Sequence, residues 1–83
     1  MKLCFPAVFE VDKEDDNYIN VTFPDIWGAV TFGEGMADAR AMAKDLLITM
    51  ADYAKECKAT SFEKTQENFP FKHVELIEVE VEE

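Results

Sequence analysis

The stretch Tyr18–Leu47, YINVTFPDIWGAVTFGEGMADARAMAKDLL, decides the fold. Ile19, Val21 and Phe23 alternate with Tyr18, Asn20 and Thr22, the period of a strand that buries one face. Pro24-Asp25 opens a turn and Trp27-Gly28 closes it, since proline presets a turn dihedral and glycine accepts backbone shapes that other residues avoid. Ala29-Val30-Thr31-Phe32 then read as a short third strand. Gly33-Glu34-Gly35 supplies the freedom to swing from sheet into helix. From about Met36 to Cys57 the apolar positions are 36, 39, 43, 46, 47, 50, 54 and 57, the spacing of one helix burying a single stripe. Glu34 and Asp38 lie near the positive end of its dipole and Lys55 and Lys58 near the negative end, so the charges agree with these limits.

Upstream, residues 2–11 (KLCFPAVFEV) place Leu3, Phe5, Ala7, Phe9 and Val11 on one side of a pleat and Lys2, Cys4, Pro6, Val8 and Glu10 on the other. Pro6 lacks a ladder donor, which points to an edge or bulge rather than full pairing on both sides. Asp12-Lys13-Glu14-Asp15-Asp16-Asn17 is a charged hairpin loop. Downstream, residues 58–72 lose periodicity and contain Pro70, so they are expected to be a connecting loop with Phe62, Phe69 and Phe71 as anchors. His73 to Val81 alternates Ile77, Val79 and Val81 against Glu78, Glu80 and Glu82, a last strand with an acidic row.

The predicted class is therefore α+β in the order β-β-β-α-β, with one helix packed on one face of the sheet. Tyr18, Thr22, Pro6 and Val8 share the opposite face, whose mixed character suits an interaction surface. The last strand and the Pro6-bearing first strand are expected at the sheet edges, where an unpaired edge offers a route to a homodimer.

Eighty-three residues suffice for one domain with one thin core. A charge of -10, from 18 acidic and 8 basic residues, disfavours direct nucleic-acid binding by this domain and makes a basic protein the natural complement. Cys4 and Cys57 have no metal-ligand or disulfide-framework spacing and are expected in the core of a protein from a reducing compartment. The N-terminus does not have the layout of a signal peptide, and no apolar run approaches the roughly 20 residues of a membrane span. A soluble cytoplasmic protein is expected, with no membrane partner.

Several patterns carry residues capable of chemistry. Asp12, Glu14 and Asp16 are spaced like calcium-loop ligands, but Asn17 and Phe23 stand where an EF-hand needs glycine and glutamate, and strands flank the loop. Gly33-Glu34-Gly35 lacks the third glycine and following lysine of a phosphate cradle. Glu10, Asp25 and Glu78 would be the first carboxylates to test for Mg²⁺, although nothing in the sequence brings them together. His73 has no catalytic partner at a diagnostic spacing. The expectation is no enzyme, no metal and no cofactor.

The chain resembles the N-terminal domain of the HicB family of antitoxins. The likeness lies in FPAVFEVD (Phe5 to Asp12), YINVTFPDIWGAVTFGEG (Tyr18 to Gly35) and MADARAMAKDLL (Met36 to Leu47). It departs from the family pattern in three places: Trp27 replaces a proline, Gly35 replaces a helix-capping threonine, and the loop at 58–72 lacks a proline-rich character. The resemblance implies a partial ribonuclease-H-like fold without catalytic carboxylates, which binds and blocks a small basic RNA-cleaving toxin of the HicA kind in a type II toxin-antitoxin system. Residues 1–83 are expected to be a single such domain, lacking the C-terminal helix-turn-helix or ribbon-helix-helix domain that family members add for DNA binding.

On this basis the expected partner-binding residues are Glu10, Asp15 and Asp16 on and beside the first hairpin, Tyr18 and Thr22 on the uncovered face, and Asp25 and Trp27 in the turn. Trp27 either anchors a partner or folds over the sheet edge. The alternative is an oligomerisation or interaction module of the same fold without a toxin partner.

Overall fold

A computed structural model describes residues 1–82. Four strands, β1 (Lys2–Val11), β2 (Tyr18–Thr22), β3 (Val30–Glu34) and β4 (His73–Glu80), form one antiparallel sheet in the order β3-β2-β1-β4. Three helices accompany it: α1 (Gly35–Thr49), α2 (Ala51–Ala54) and α3 (Phe62–Asn68). The α+β class and the strand count agree with the sequence expectation; the helix count does not.

One face of the sheet behaves as its alternation predicts. Leu3, Phe5, Ala7 and Phe9 of β1, Ile19 and Val21 of β2, and Ile77 and Val79 of β4 are buried in one cluster with Phe23, Ile26, Ala29 and Val81. Burying a side chain such as Phe5 or Phe23 contributes about 1.5–3 kcal/mol. Val11 lies at the end of β1, beyond the last residue that pairs with β4, and is exposed.

The predicted helical stripe also holds. Ala39, Ala43, Leu47, Ala51 and Ala54 are buried against the sheet, and Met36, Leu46, Met50 and Cys57 pack beside them. The continuous helix expected to Cys57 is instead divided at Met50, whose φ of -96° and ψ of 16° leave the helical range. Its N–H still bonds Leu46 O at 2.9 Å and its carbonyl still accepts Ala54 N–H at 2.8 Å, so the buried stripe runs through the kink. The preceding Ile48-Thr49 pair is β-branched and favours a helix weakly. Alanines on the stripe let α1 lie close to β3. A Cβ on Gly33 would come within 2.4 Å of Ala39 N and 2.5 Å of Ala39 Cα, so only glycine fits at that contact. Gly35, with φ of +83°, makes the turn into α1, and Asp38 Oδ2 accepts Glu34 N–H at 2.8 Å at the helix entrance.

The position of Pro6 explains why a proline is tolerated in an interior strand. Met1 and Val81 exchange both backbone hydrogen bonds, at 2.8 and 2.9 Å, so in the unbroken β1–β4 register the odd-numbered residues of β1 bond toward β4. The even-numbered ones point toward β2, which pairs with β1 only over Val8–Val11. The missing donor of Pro6 therefore faces a stretch with no strand beside it. β1, expected from sequence at an edge, is interior; the edges are β3 and β4, the latter as expected.

The largest correction concerns residues 58–72, expected as a loop. Ser61 caps α3 by accepting Lys64 N–H at 3.1 Å, and Thr65 Oγ1 donates to Ser61 O at 2.9 Å. Gln66 Nε2 closes the other end, donating to Phe69 O and Lys72 O, both at 3.0 Å. This helix rests against β4. Its face reads Phe62, Thr65, Gln66, Phe69, a helical spacing masked by two polar residues, and its length is only 7 residues. Pro6, Val8 and Val74 lie on the sheet face opposite α1 and are nevertheless buried, as is Thr65 at 2 % exposure. The second face is thus half covered by α3, where the sequence had left it free. Phe69 is half-buried as an anchor, Phe62 is largely exposed, and Phe71 projects fully into solvent. Cys4, expected in the core, is exposed on the second face, whereas Cys57 packs against the core.

Candidate functional site

The uncovered half of the second face is built by register. Glu10 stands opposite Asn20, Asn20 opposite Phe32, Thr22 opposite Val30, and Tyr18 opposite Glu34, so all these side chains share one surface. The rings of Tyr18 and Phe32 meet edge to face, with centroids 5.8 Å apart and planes at 68°. Val30 and Phe32 are 61 % and 57 % exposed and, with Trp27, form an apolar strip along β3 and the turn before it.

Acidic groups border this strip. Asp12, Tyr18, Asn20 and Phe32 line a shallow depression of about 350 Å³, and Asp12 and Asn20 also line a second of about 340 Å³ with Glu10, Val11, Lys13 and Glu14. Asp12 accepts Glu14 N–H at 2.8 Å and Asn20 Nδ2 at 3.3 Å. The Glu14 bond first, then that from Asn20, holds the pKa of this carboxyl below its ordinary value, so it stays ionised and oriented.

The predicted contact residues are not all in this surface. Tyr18 and Thr22 belong to it, and Trp27 stands out from the turn at 85 % exposure instead of folding over the sheet edge. Glu10 lies at its border in an ion pair with Lys72. Asp16 is exposed in the hairpin loop, while Asp15 shapes that loop by accepting Asn17 N–H at 3.0 Å on its side chain and Tyr18 N–H at 3.1 Å on its carbonyl. Asp25 has an internal task. It accepts Thr60 N–H at 2.8 Å and Thr60 Oγ1 at 2.6 Å, fastening the β2–β3 turn to the segment that leads into α3.

Val30 and Phe32 were not singled out by sequence. Their signal is the alternation Val30-Thr31-Phe32-Gly33, which by hydrophobicity alone would turn the valine and phenylalanine inward. The close approach of α1 to Gly33 reverses this, placing the small residues under the helix and the large ones outside.

The carboxylates considered for Mg²⁺ are dispersed among separate partners: Glu10 with Lys72, Asp25 with Thr60, and Glu78 with Lys2 at 3.9 Å. Among the described residues no three His, Cys, Asp or Glu side chains are grouped to hold a metal ion, and no helix is long and apolar enough to cross a membrane. His73 packs edge-on against Phe9 and contacts Glu75 at 2.6 Å. Glu75 also receives Arg40 Nε at 2.8 Å and Nη2 at 2.7 Å, a two-pronged bond from α1 to β4. The Arg40 hydrogen bonds above all, with help from His73, hold the Glu75 carboxyl at about 2 despite the opposing effect of burial. This cluster joins helix to sheet, on the face away from the apolar strip.

The surface can therefore offer aromatic and aliphatic contacts inside an acidic border, the chemistry of a protein-docking site. The same fold is found in solved structures. A chain of a toxin-antitoxin complex from Streptococcus pneumoniae superposes with a TM-score of 0.74 at 24% identity, over 99% of this chain and 70% of that one. The crystal structure of the N-terminal domain of Burkholderia pseudomallei antitoxin HicB superposes with a TM-score of 0.76 at 21% identity, over 94% of this chain and 99% of that one. No family model and no curated protein matches the sequence.

Proposed function

We propose that this domain is an antitoxin of the HicB kind, which binds a small basic RNA-cleaving toxin resembling HicA and inhibits it by covering its active surface. The observation that carries this is the fold shared over nearly the whole chain with an antitoxin domain, in a molecule of net charge -10 that keeps an acid-bordered apolar surface open. A cationic nuclease needs its positive surface to hold RNA, and an acidic protein competes for that same surface. Inhibition then requires contact and shape, with no bond made or broken by the antitoxin, in keeping with a ribonuclease-H-like sheet that has lost its catalytic role.

Trp27, Phe32 and Val30 form the apolar centre of the contact, and Tyr18, Thr22, Glu10, Asp15 and Asp16 lie around it. Asp25 contributes by holding the turn that presents Trp27.

The test is co-purification with a small basic HicA-like nuclease, followed by an assay of its RNA cleavage. Binding with suppressed cleavage is expected, weakening as salt is raised. Trp27→Ala is expected to weaken binding at least tenfold while changing stability by no more than about 0.5 kcal/mol, as befits an exposed side chain. A folded nuclease of this kind that fails to bind, or that binds and still cleaves, would overturn the antitoxin role.

A further inference from the structure

The two edges of the sheet differ in what they leave open. In β3 the register and the Phe23 N–H bond to Ala29 O show that Thr31 and Gly33 bond inward to β2, so Val30, Phe32 and Glu34 turn their backbone groups outward. Two of those three donors are already used. Val30 N–H bonds Gly28 O at 3.1 Å, and Glu34 N–H bonds the Asp38 carboxylate at 2.8 Å. Only Phe32 keeps a donor for an incoming strand, so this edge is closed at both ends.

β4 is different. Its odd-numbered residues bond to β1, which turns the N–H and C=O groups of Leu76, Glu78 and Glu80 away from the sheet. No side chain or turn among the described residues occupies them. Their side chains share the second face, Leu76 being 51 % exposed and Glu78 and Glu80 exposed beyond it. The two glutamates repeat at about 7 Å along the strand. Lys2 and the terminal ammonium approach them from the β1 side, at 3.9 and 3.7 Å, and among the described residues no ion pair reaches them from the outer side.

We infer that the open edge of β4 is a strand-addition site for an extended basic segment of the partner, whose backbone pairs with Leu76, Glu78 and Glu80 while lysine or arginine at every second position meets the two glutamates. The inference rests on the proposed binding of a basic protein and says where and how it docks. Charge selects this occupant. A second copy would set the same glutamate row against itself and join two chains of -10, whereas a basic strand removes that repulsion and satisfies the open donors and acceptors. The apolar strip along β3 then contacts a separate part of the partner.

Amide hydrogen exchange on the complex with a small basic HicA-like nuclease tests this directly. The N–H groups of Leu76, Glu78 and Glu80 are expected to exchange at least tenfold more slowly in the complex than in the free domain. Glu78→Pro is a matched variant. Its lost N–H faces outward, so every β1–β4 hydrogen bond is kept, and at least a tenfold loss of affinity is expected; Glu78→Lys with Glu80→Lys should do the same through charge, with a flattened salt dependence. A complex that forms with these three amides unprotected would overturn the edge site and leave the antitoxin role standing. If no complex forms, the antitoxin role itself fails and the edge site with it. Protection appearing in the free domain as its concentration rises would assign the edge to a second copy, and overturn the proposal.

Discussion

The two faces of this sheet are made from similar strands but held by different means. On the first, α1 and α2 lay an alanine-lined stripe on a continuous apolar surface, and the fit is close enough that Gly33 admits no side chain. On the second, a helix of 7 residues covers Pro6, Val8 and Val74 and stops, leaving Tyr18, Phe32 and Val30 in the open. The first face is secured by area and close packing, which are spread over many residues. The second depends on a few polar ties, of which the Asp25–Thr60 pair and the Ser61 cap are the main ones. Stability thus concentrates on one side of the sheet and the capacity to bind on the other.

That contrast can be broken from the first face most severely. Gly33→Ala is expected to cost roughly 3 kcal/mol, because the new methyl meets the backbone of Ala39, which cannot step aside without lifting α1 off β3. Gly28→Ala, where φ is +80° but nothing lies within 4 Å, should cost only about 1–2 kcal/mol from backbone strain. Urea denaturation of the two variants measures the gap; equal losses would mean that the α1–β3 contact is looser than the geometry states.

A smaller effect is expected on the second face. Asp25→Ala removes two bonds to Thr60 and should cost about 1–2 kcal/mol. Its sharper mark is local. Hydrogen exchange should accelerate in α3 and around Val74 while the α1 amides stay protected, and uniform acceleration would show that the two faces unfold as one unit.

The smallest effect concerns the tie between α1 and β4. Glu75 is held at about 2, below its ordinary 4.5, chiefly by Arg40, so its contribution is complete above the ordinary value and is lost as pH falls from 4.5 through 2. Because Arg40 is about half exposed, solvent screening keeps this contribution small. Arg40→Ala should lower the denaturation midpoint at pH 7 and leave it almost unchanged at pH 2.

Much of the first face was legible in the sequence because one periodicity governed each element there. The stripe from Met36 to Cys57 names the residues that pack on the sheet, and it survives the kink at Met50 because hydrogen bonds bridge that residue. The alternation of β1 and β4 likewise gives the residues buried on that face, apart from Val11. Legibility failed where a residue's surroundings came from far along the chain. Thr65 and Gln66 look like loop residues until Ser61 and the Phe69–Lys72 carbonyls engage them, and Asp25 looks available to a partner until Thr60 arrives from 35 residues away. Of the expected contact residues, Tyr18 and Thr22 were placed on the uncovered face by local pattern, whereas the exposure of Trp27, for which the sequence left two positions open, and that of Val30 and Phe32 came from the tertiary structure.

The sequence by itself determined the class, the four strands, the helical stripe and the acidic balance, since these follow from the local alternation of apolar and polar side chains and from composition. Tertiary structure alone decided that β1 is interior, that α3 covers half of the second face, that Cys4 is outside, and that β3 is closed while β4 stays open. The physical reason is that periodicity reports which side of an element is apolar, but the cover over that side and the free backbone groups at an edge depend on contacts between distant segments.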